Sequence, residues 1–220
     1  MRVLEVGAGT GRYTHALARL GFAVDAVELI PHNIEVFQMN TEPSENITIR
    51  QGNALDLSAF AKECYDITLV LGPMYHLYTV EDQSNALSEA LRVTKQGGIV
   101  FVAYCISDAW VIGHGFKDGF APALVEGGLM DPETFKTFST PAELFQRYRK
   151  EDIDALMERF PVTRLHYVAS DLMTNHMRET VDAMDENMFA LYLKYHFAVC
   201  ERTDMVGVTH HSIDVFRKDK

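Results

Sequence analysis

Short apolar runs alternate with amphipathic stretches from the first residues of the chain. Arg2 to Val6 is a nearly continuous apolar run ended by Gly7, which predicts a strand covered on both faces. Gly11 to Leu20 then reads as a helix, with Gly21 in the usual C-terminal position. Phe22 to Val27 is a second strand, and Pro31 to Asn40 a second helix with proline at its start. Ile47 to Arg50 and Tyr65 to Leu71 are further strands, the latter rich in β-branched and aliphatic residues. Asp82 to Lys95 follows as a helix, with Asp82 as its expected N-cap and Ala86, Leu87, Ala90 and Leu91 on one face. Gly97 and Gly98 stop it before a fifth strand, Ile99 to Cys105. This alternation implies an α/β, doubly wound, mostly parallel sheet with right-handed crossovers and helices on both faces.

The rhythm breaks over residues 106–150, which carry no strand signal. Glycines and aromatics crowd this stretch, and two helix starts stand out, Asp131-Pro132 and the capping-box spacing Thr140-Pro141-Ala142-Glu143. The stretch reads as a helical insertion on the substrate side of the sheet. The pattern resumes with a helix over Asp152 to Phe160 and a strand over Val162 to Ala169. A long helix over Asp185 to Glu201 and a last strand over His211 to Arg217 close it. Without a linker or an internal repeat, residues 1–220 read as one domain.

Composition narrows the function class. Apolar residues make up 47% and charged residues 23% of 220, a globular balance. The formal charge of −11 and the lack of any Lys/Arg run argue against a grip on a nucleic-acid backbone, so a small molecule is the expected partner. Cys64, Cys105 and Cys200 are odd in number and widely spaced, as expected of structural thiols in the cytoplasm. No apolar run reaches the roughly 18 residues of a membrane span. His210-His211 lacks the companions of a metal site, and adjacent strand residues face opposite ways. No metal is expected.

The first strand runs into Glu5-Val6-Gly7-Ala8-Gly9-Thr10-Gly11. The dinucleotide fingerprint would put its third glycine at position 12, which is Arg12 here, and that disfavours NAD. The stretch instead resembles motif I of class I S-adenosylmethionine-dependent methyltransferases, an acidic residue followed by G-x-G-x-G. The resemblance implies that Gly7, Ala8, Gly9 and Gly11 pack against the amino-acid end and ribose of S-adenosylmethionine. It implies that Glu5 helps to hold the loop and the donor's amino group. Arg12, Tyr13 and Thr14 are candidates to reach the donor carboxylate from the first helix. Glu28, followed by Leu29, ends the second strand where the family places a carboxylate for the ribose hydroxyls. Gln51-Gly52-Asn53-Ala54-Leu55-Asp56 resembles the segment that flanks the adenine, with Asn53 in place of the usual Asp, and Ala54 beside it. Leu71-Gly72-Pro73-Met74-Tyr75-His76 resembles motif IV, where the fourth strand meets the transferable methyl group. The family's fold implies a Rossmann-like seven-stranded sheet in the order 3-2-1-4-5-7-6. Helices usually precede its first strand, so an open pocket, suited to a homodimer, is expected here.

Methyl transfer is an in-line displacement, and a base matters only when the nucleophile must lose a proton. His76 is the candidate base, with Tyr75 and Tyr78 beside it. Trp110, His114 and Phe116 are candidates for a substrate pocket in the insertion. The expected reaction is methyl transfer to a small-molecule acceptor, leaving S-adenosylhomocysteine. The rival readings are an RNA or protein methyltransferase and a donor-binding protein without turnover.

Overall fold

The computed structural model describes residues 1–219. Its elements in chain order are β1 (Arg2–Val6), α1 (Arg12–Arg19), β2 (Ala23–Glu28), α2 (Pro31–Met39), β3 (Ile47–Gln51), β4 (Tyr65–Val70), α3 (Val80–Val93) and β5 (Thr94–Ile106). After them come α4 (Ser107–Trp110), α5 (Ala121–Glu126), β6 (Arg147–Tyr148), α6 (Lys150–Met157), β7 (Val162–Ala169), α7 (Arg178–Asp182), α8 (Glu186–Val199) and β8 (His211–Lys218). The sheet order is β3-β2-β1-β4-β5-β8-β7, with β6 paired to β5 off this path. The expected order is therefore observed; the numbering shifts by one because β6 is an extra two-residue strand.

The chain forms two compact units. The first is Met1–Ala103 with Arg159–Leu165 and the residues from Val215 on; the second is Tyr104–Glu158 with His166–Asp214. In the first, β1 lies between β2 and β4, paired in parallel with both through Val3↔Val24 and Val3↔Ile67. That central place explains its run of apolar residues, since Val3, Leu4 and Val6 are all buried. Burying such a side chain contributes about 1.5–3 kcal/mol. The expected face of α3 is the buried one: Ala86, Leu87, Ala90 and Leu91.

Two boundaries in this unit differ from the sequence reading. Helix α3 starts earlier, because the Thr79 hydroxyl accepts the Asp82 N–H at 3.1 Å and so acts as the N-cap in place of Asp82. Strand β5 starts at Thr94, ahead of the two glycines. Tyr65 pairs with Thr94 and Ile67 with Ile99, so Gly97 and Gly98 form a bulge, not a helix stop. A Cβ at Gly98 would lie 2.7 Å from Thr94 Cγ2, and Gly97 has φ +73°. Thr94 anchors the turn into the strand through its hydroxyl, 2.7 Å from both Thr68 Oγ1 and the Ala90 carbonyl.

The second unit contains the insertion. After α4 the chain continues as a π-helical turn, Val111–Lys117, and Val111, Ala121, Leu124 and Met130 form a small core. The Thr140–Glu143 capping box forms, on a single 3₁₀ turn. Asp131-Pro132 does not start a helix. The Asp131 carboxylate accepts the N–H groups of Glu133 (3.1 Å) and Thr134 (2.7 Å), and Met130 bridges Thr137 in antiparallel fashion. Side-chain capping thus closes a tight turn there, which a short polar residue serves as well as a helix start. The stretch also holds β6, with Cys105↔Arg147 and Ile106↔Tyr148 in parallel register. Two residues are too few for any periodicity to reveal. Asp185 caps α8 through the Met188 N–H, 2.8 Å. Among the described residues, no helix is long and apolar enough to cross a membrane, and no group of three or more His, Cys, Asp or Glu side chains could hold a metal.

Candidate active site

The glycine turn after β1 is tied to the end of β2: the Gly7 and Ala8 N–H groups both donate to the Val27 carbonyl, at 2.8 and 3.0 Å. Gly7, Gly9 and Gly11 all sit in the left-handed region, at φ +76°, +57° and +91°. Their surroundings separate their roles. A Cβ at Gly7 would lie 2.7 Å from Pro73 Cδ, and one at Gly11 2.6 Å from both His15 Nε2 and Phe37 Cδ2. A Cβ at Gly9 would meet nothing within 4 Å. Gly7 and Gly11 therefore answer to packing, whereas Gly9 faces the open space of a cavity.

That cavity has a volume of about 690 Å³ and lies wholly in the first unit, at the carboxyl ends of β1 to β4. Open α/β sheets bind ligands at this end, and the volume is typical of a small-molecule site. Gly7 and Gly9 line it after β1, Glu28 and Leu29 after β2, Asn53 and Ala54 after β3, and Gly72 and His76 after β4.

Glu28 is the best-anchored polar group in the wall. It is only 6% exposed. Its Oε2 accepts the Gly9 N–H at 2.8 Å, and its Oε1 accepts the Ile30 N–H at 3.0 Å and Asn33 Nδ2–H at 3.1 Å. One carboxylate thus joins the glycine turn to the start of α2. Asn53 Oδ1 accepts the Leu55 N–H at 3.0 Å, which leaves its amide nitrogen to donate toward a ligand.

Other sequence candidates lie outside the cavity wall. Glu5 is buried beneath the turn, where it accepts the hydroxyl of the fully buried Thr14. Ala8 packs with Ala26 and Phe37, and Leu71 packs against the Val3, Ala18, Val24 and Leu69 core. Tyr13 is 51% exposed. Tyr75 shares the 3₁₀ turn Pro73–His76 with His76, their rings edge to face at 6.5 Å, and only His76 reaches the wall. In the second unit, Trp110 and His114 line one cavity and Phe116 another. The sequence reading did not place Ile30, Asn33 or Asp82 in the wall. Asn33, one turn after Glu28, carried a signal in retrospect: a short amide at a helix start is placed to bond a neighbouring carboxylate.

Burial raises the Glu5 carboxyl to about 7, against the opposing bonds from Thr14 and with a further push from Glu28. The folded state therefore holds a proton that the unfolded chain releases near its ordinary pKa of 4.5. The Glu5 contribution to stability is full below that value and is lost as the pH rises toward about 7. The loss amounts to about 3 kcal/mol. Glu5→Gln is expected to remove it, so the stability difference between variant and parent should grow between pH 5 and about pH 8. Chemical denaturation at the two pH values checks this, and a pH-independent difference would contradict it.

Residues 4–102 match the model of a family described as a methyltransferase domain. A demethylmenaquinone methyltransferase of Tropheryma whipplei is 35% identical over 100 residues, covering 46% of this chain and 40% of that protein. The match thus spans well under two thirds of that relative. A ubiquinone biosynthesis O-methyltransferase of Pseudomonas syringae is 29% identical over 194 residues, covering 82% of this chain and 78% of its own length. Among solved structures, a SAM-dependent methyltransferase from Methanosarcina mazei superposes with a TM-score of 0.63 at 16% identity, over 99% of this chain and 92% of that one. The [4+2]-cyclase SpnF does so with a TM-score of 0.63 at 15% identity, over 99% and 74%. At such identities the structures show the fold alone, the Rossmann-like fold of class I methyltransferases.

Proposed function

We propose, from the match of residues 4–102 to the methyltransferase domain model, that the chain transfers a methyl group from S-adenosylmethionine to a small-molecule acceptor. The observation that carries this reading is the Glu28 carboxylate, fixed on two sides in the wall of a cavity that opens at Gly9. Glu28 would hold the ribose hydroxyls, and Asn53 with Ala54 would flank the adenine. Gly9 leaves room for the ligand to approach the backbone. Glu5 and Thr14 act from below, holding the turn in shape. The donor, when bound, supplies a methyl group already activated on a sulfonium sulfur. The chain then has to align the acceptor and exclude water. His76 in the wall would accept the proton of a hydroxyl or amine acceptor, and Tyr75 would orient its ring.

Both relatives named above are quinone-pathway enzymes by name, which supports an aromatic acceptor. The charge of −11 disfavours RNA. A donor-binding protein with other chemistry is the second reading, supported by the cyclase that shares the fold. Calorimetric titration with S-adenosylmethionine and S-adenosylhomocysteine, with NAD as control, tests the donor. Saturable binding of the first two alone is expected, and preferential binding of NAD would overturn the assignment. Formation of S-adenosylhomocysteine with catechol-type acceptors separates the two readings. The unbridged Cys64, Cys105 and Cys200 suit the cytoplasm. The exposed Leu191, Tyr195 and Phe197 of α8 suit a homodimer, which Phe197→Glu should shift toward monomer in sedimentation.

A further inference from the structure

The end of β5 carries a cysteine that the donor site does not use. Cys105 is half-buried and lines a cavity of about 480 Å³ in the second unit. Much of the wall is apolar, with Ile106, Leu124, Leu129 and Phe145. His211, the first residue of β8, lines the same cavity. The Ile106 N–H donates to the His210 carbonyl at 2.8 Å, which sets the end of β5 against the start of β8. This pairing brings the Cys105 thiol into hydrogen-bond contact with the His211 ring.

The ring is fixed from its other side. Its Nδ1 lies 2.8 Å from Asp171 Oδ2, so the remaining nitrogen, Nε2, is the one that meets the sulfur. Asp171 is itself held in place. Its Oδ2 accepts Asn175 Nδ2–H at 2.7 Å, and its Oδ1 accepts the backbone N–H groups of His210 (2.8 Å) and His211 (3.1 Å). A carboxylate, an imidazole and a thiol thus stand in a row. The bonds to Asp171 and then to Cys105 raise His211 to about 10, so the ring keeps its proton at neutral pH. An imidazolium against a thiol favours the thiolate, the nucleophilic form of cysteine. The ring's charge is balanced within the row, and the row calls for no further anion.

We propose that Cys105 is a nucleophilic thiol that adds covalently to small apolar α,β-unsaturated carbonyl compounds seated in this cavity, with His211 and Asp171 as its positioning residues. The thiol proton passes to water, and the sulfur–carbon bond forms at the β carbon. The C=C π pair moves toward the carbonyl oxygen as an enolate, and the α carbon takes a proton back from water. Thiol plus alkene thus gives thioether, with no oxidant and no leaving group. Acyl transfer would in addition require donors for an oxyanion. The apolar wall favours an apolar reagent over a hydrated one, and the volume lies in the range of small-molecule sites. The inference holds whether or not the first unit binds S-adenosylmethionine, so the two fail separately.

Alkylation of the full chain by N-phenylmaleimide, read by peptide mass spectrometry, follows each cysteine by itself. Cys64, also half-buried but in the first unit, is the internal reference. An unassisted thiol is about 3% thiolate at pH 7, which sets a ceiling of about 30-fold on the advantage of a full thiolate. Cys105 is expected to react at least about tenfold faster than Cys64 at that pH. The ratio should fall toward one as the pH rises to about 9, where an ordinary thiol is mostly ionised. His211→Gln should hold it near one at every pH, with the Cys64 rate unchanged. The Cys105 rate should saturate with reagent, and Phe145→Ala should raise the half-saturating concentration without changing the maximal rate. The other titratable groups facing the cavity are His114, Glu143, Arg147 and His210, with Tyr148 near Cys105. His210 is pushed down by burial and by His176, and Tyr148 is pushed up by burial, so both are neutral from pH 7 to 9. His114→Gln should leave the ratio as in the parent. Equal rates at Cys105 and Cys64 at pH 7 would overturn the proposal, as would a pH-independent ratio in the parent. Rates linear in N-phenylmaleimide up to its solubility limit would do the same. The parent's ratio and pH profile decide the matter even if a variant fails to fold.

Discussion

Glu28→Ala is expected to weaken S-adenosylmethionine binding by about 100-fold, with the folded state retained. The size follows from what the side chain does. A hydrogen bond to a charged group contributes about 1.5–3 kcal/mol, and the ribose offers two hydroxyls to one carboxylate. The same carboxylate also holds the Gly9 N–H, the Ile30 N–H and Asn33 in place, so its loss loosens both sides of the cavity at once. Glu28→Gln should fall between parent and Ala, because an amide oxygen can keep one side of the clamp and its nitrogen faces a donor on the other. Calorimetry measures the affinities, and thermal unfolding without ligand checks that the variants fold. An Ala variant that binds S-adenosylmethionine as the parent does would remove Glu28 from the donor site.

The second large effect separates two glycines of one turn. Gly11→Ala is expected to destabilise the fold by about 3 kcal/mol, and Gly9→Ala to leave most of the stability but to weaken donor binding. Both residues have positive φ, and an L side chain there costs about 1–2 kcal/mol. At Gly11 the new methyl would also press on His15 Nε2 and Phe37 Cδ2, each 2.6 Å away. His15 cannot turn aside freely. Its Nδ1 is held by Glu45 at 2.8 Å, and its ring packs on Phe37 with centroids 4.7 Å apart. Overpacking of this kind adds about 1–3 kcal/mol. The melting temperature of Gly11→Ala should therefore drop by about 10 °C, and that of Gly9→Ala by about a third of this. Gly9 has nothing within 4 Å of its would-be Cβ, so its methyl enters the cavity instead. A Gly9→Ala variant with undiminished donor affinity would show that the turn does not cradle the ligand.

The distinction between these glycines marks where sequence reading stopped. The G-x-G-x-G spacing points to a ligand turn and away from a dinucleotide, but it does not tell the three glycines apart. Only the packed structure shows Gly11 against His15 and Phe37 and Gly9 against open space. The same holds for the acidic residues. Glu5 is the last residue but one of β1 and Glu28 the last of β2, yet Glu5 is turned inward onto Thr14 and Glu28 lines the cavity. Asp82, read as a cap, lies in the cavity wall because Thr79 caps the helix in its place.

The sequence by itself determined the elements and their order in the first half of the chain. Strands buried on both faces leave continuous apolar runs, helices leave one apolar face, and glycine marks a backbone that no other residue adopts cheaply. These are local signals, readable within a dozen residues. Tertiary structure alone decided the rest: the bulge at Gly97 and Gly98, the two-residue strand β6, and the meeting of Asp171, His211 and Cys105. Each of these depends on partners far apart in the chain, from 29 residues between Tyr65 and Thr94 to 106 between Cys105 and His211. No local pattern encodes such a pairing, because the energy that selects it arises only when the sheet brings the two segments together.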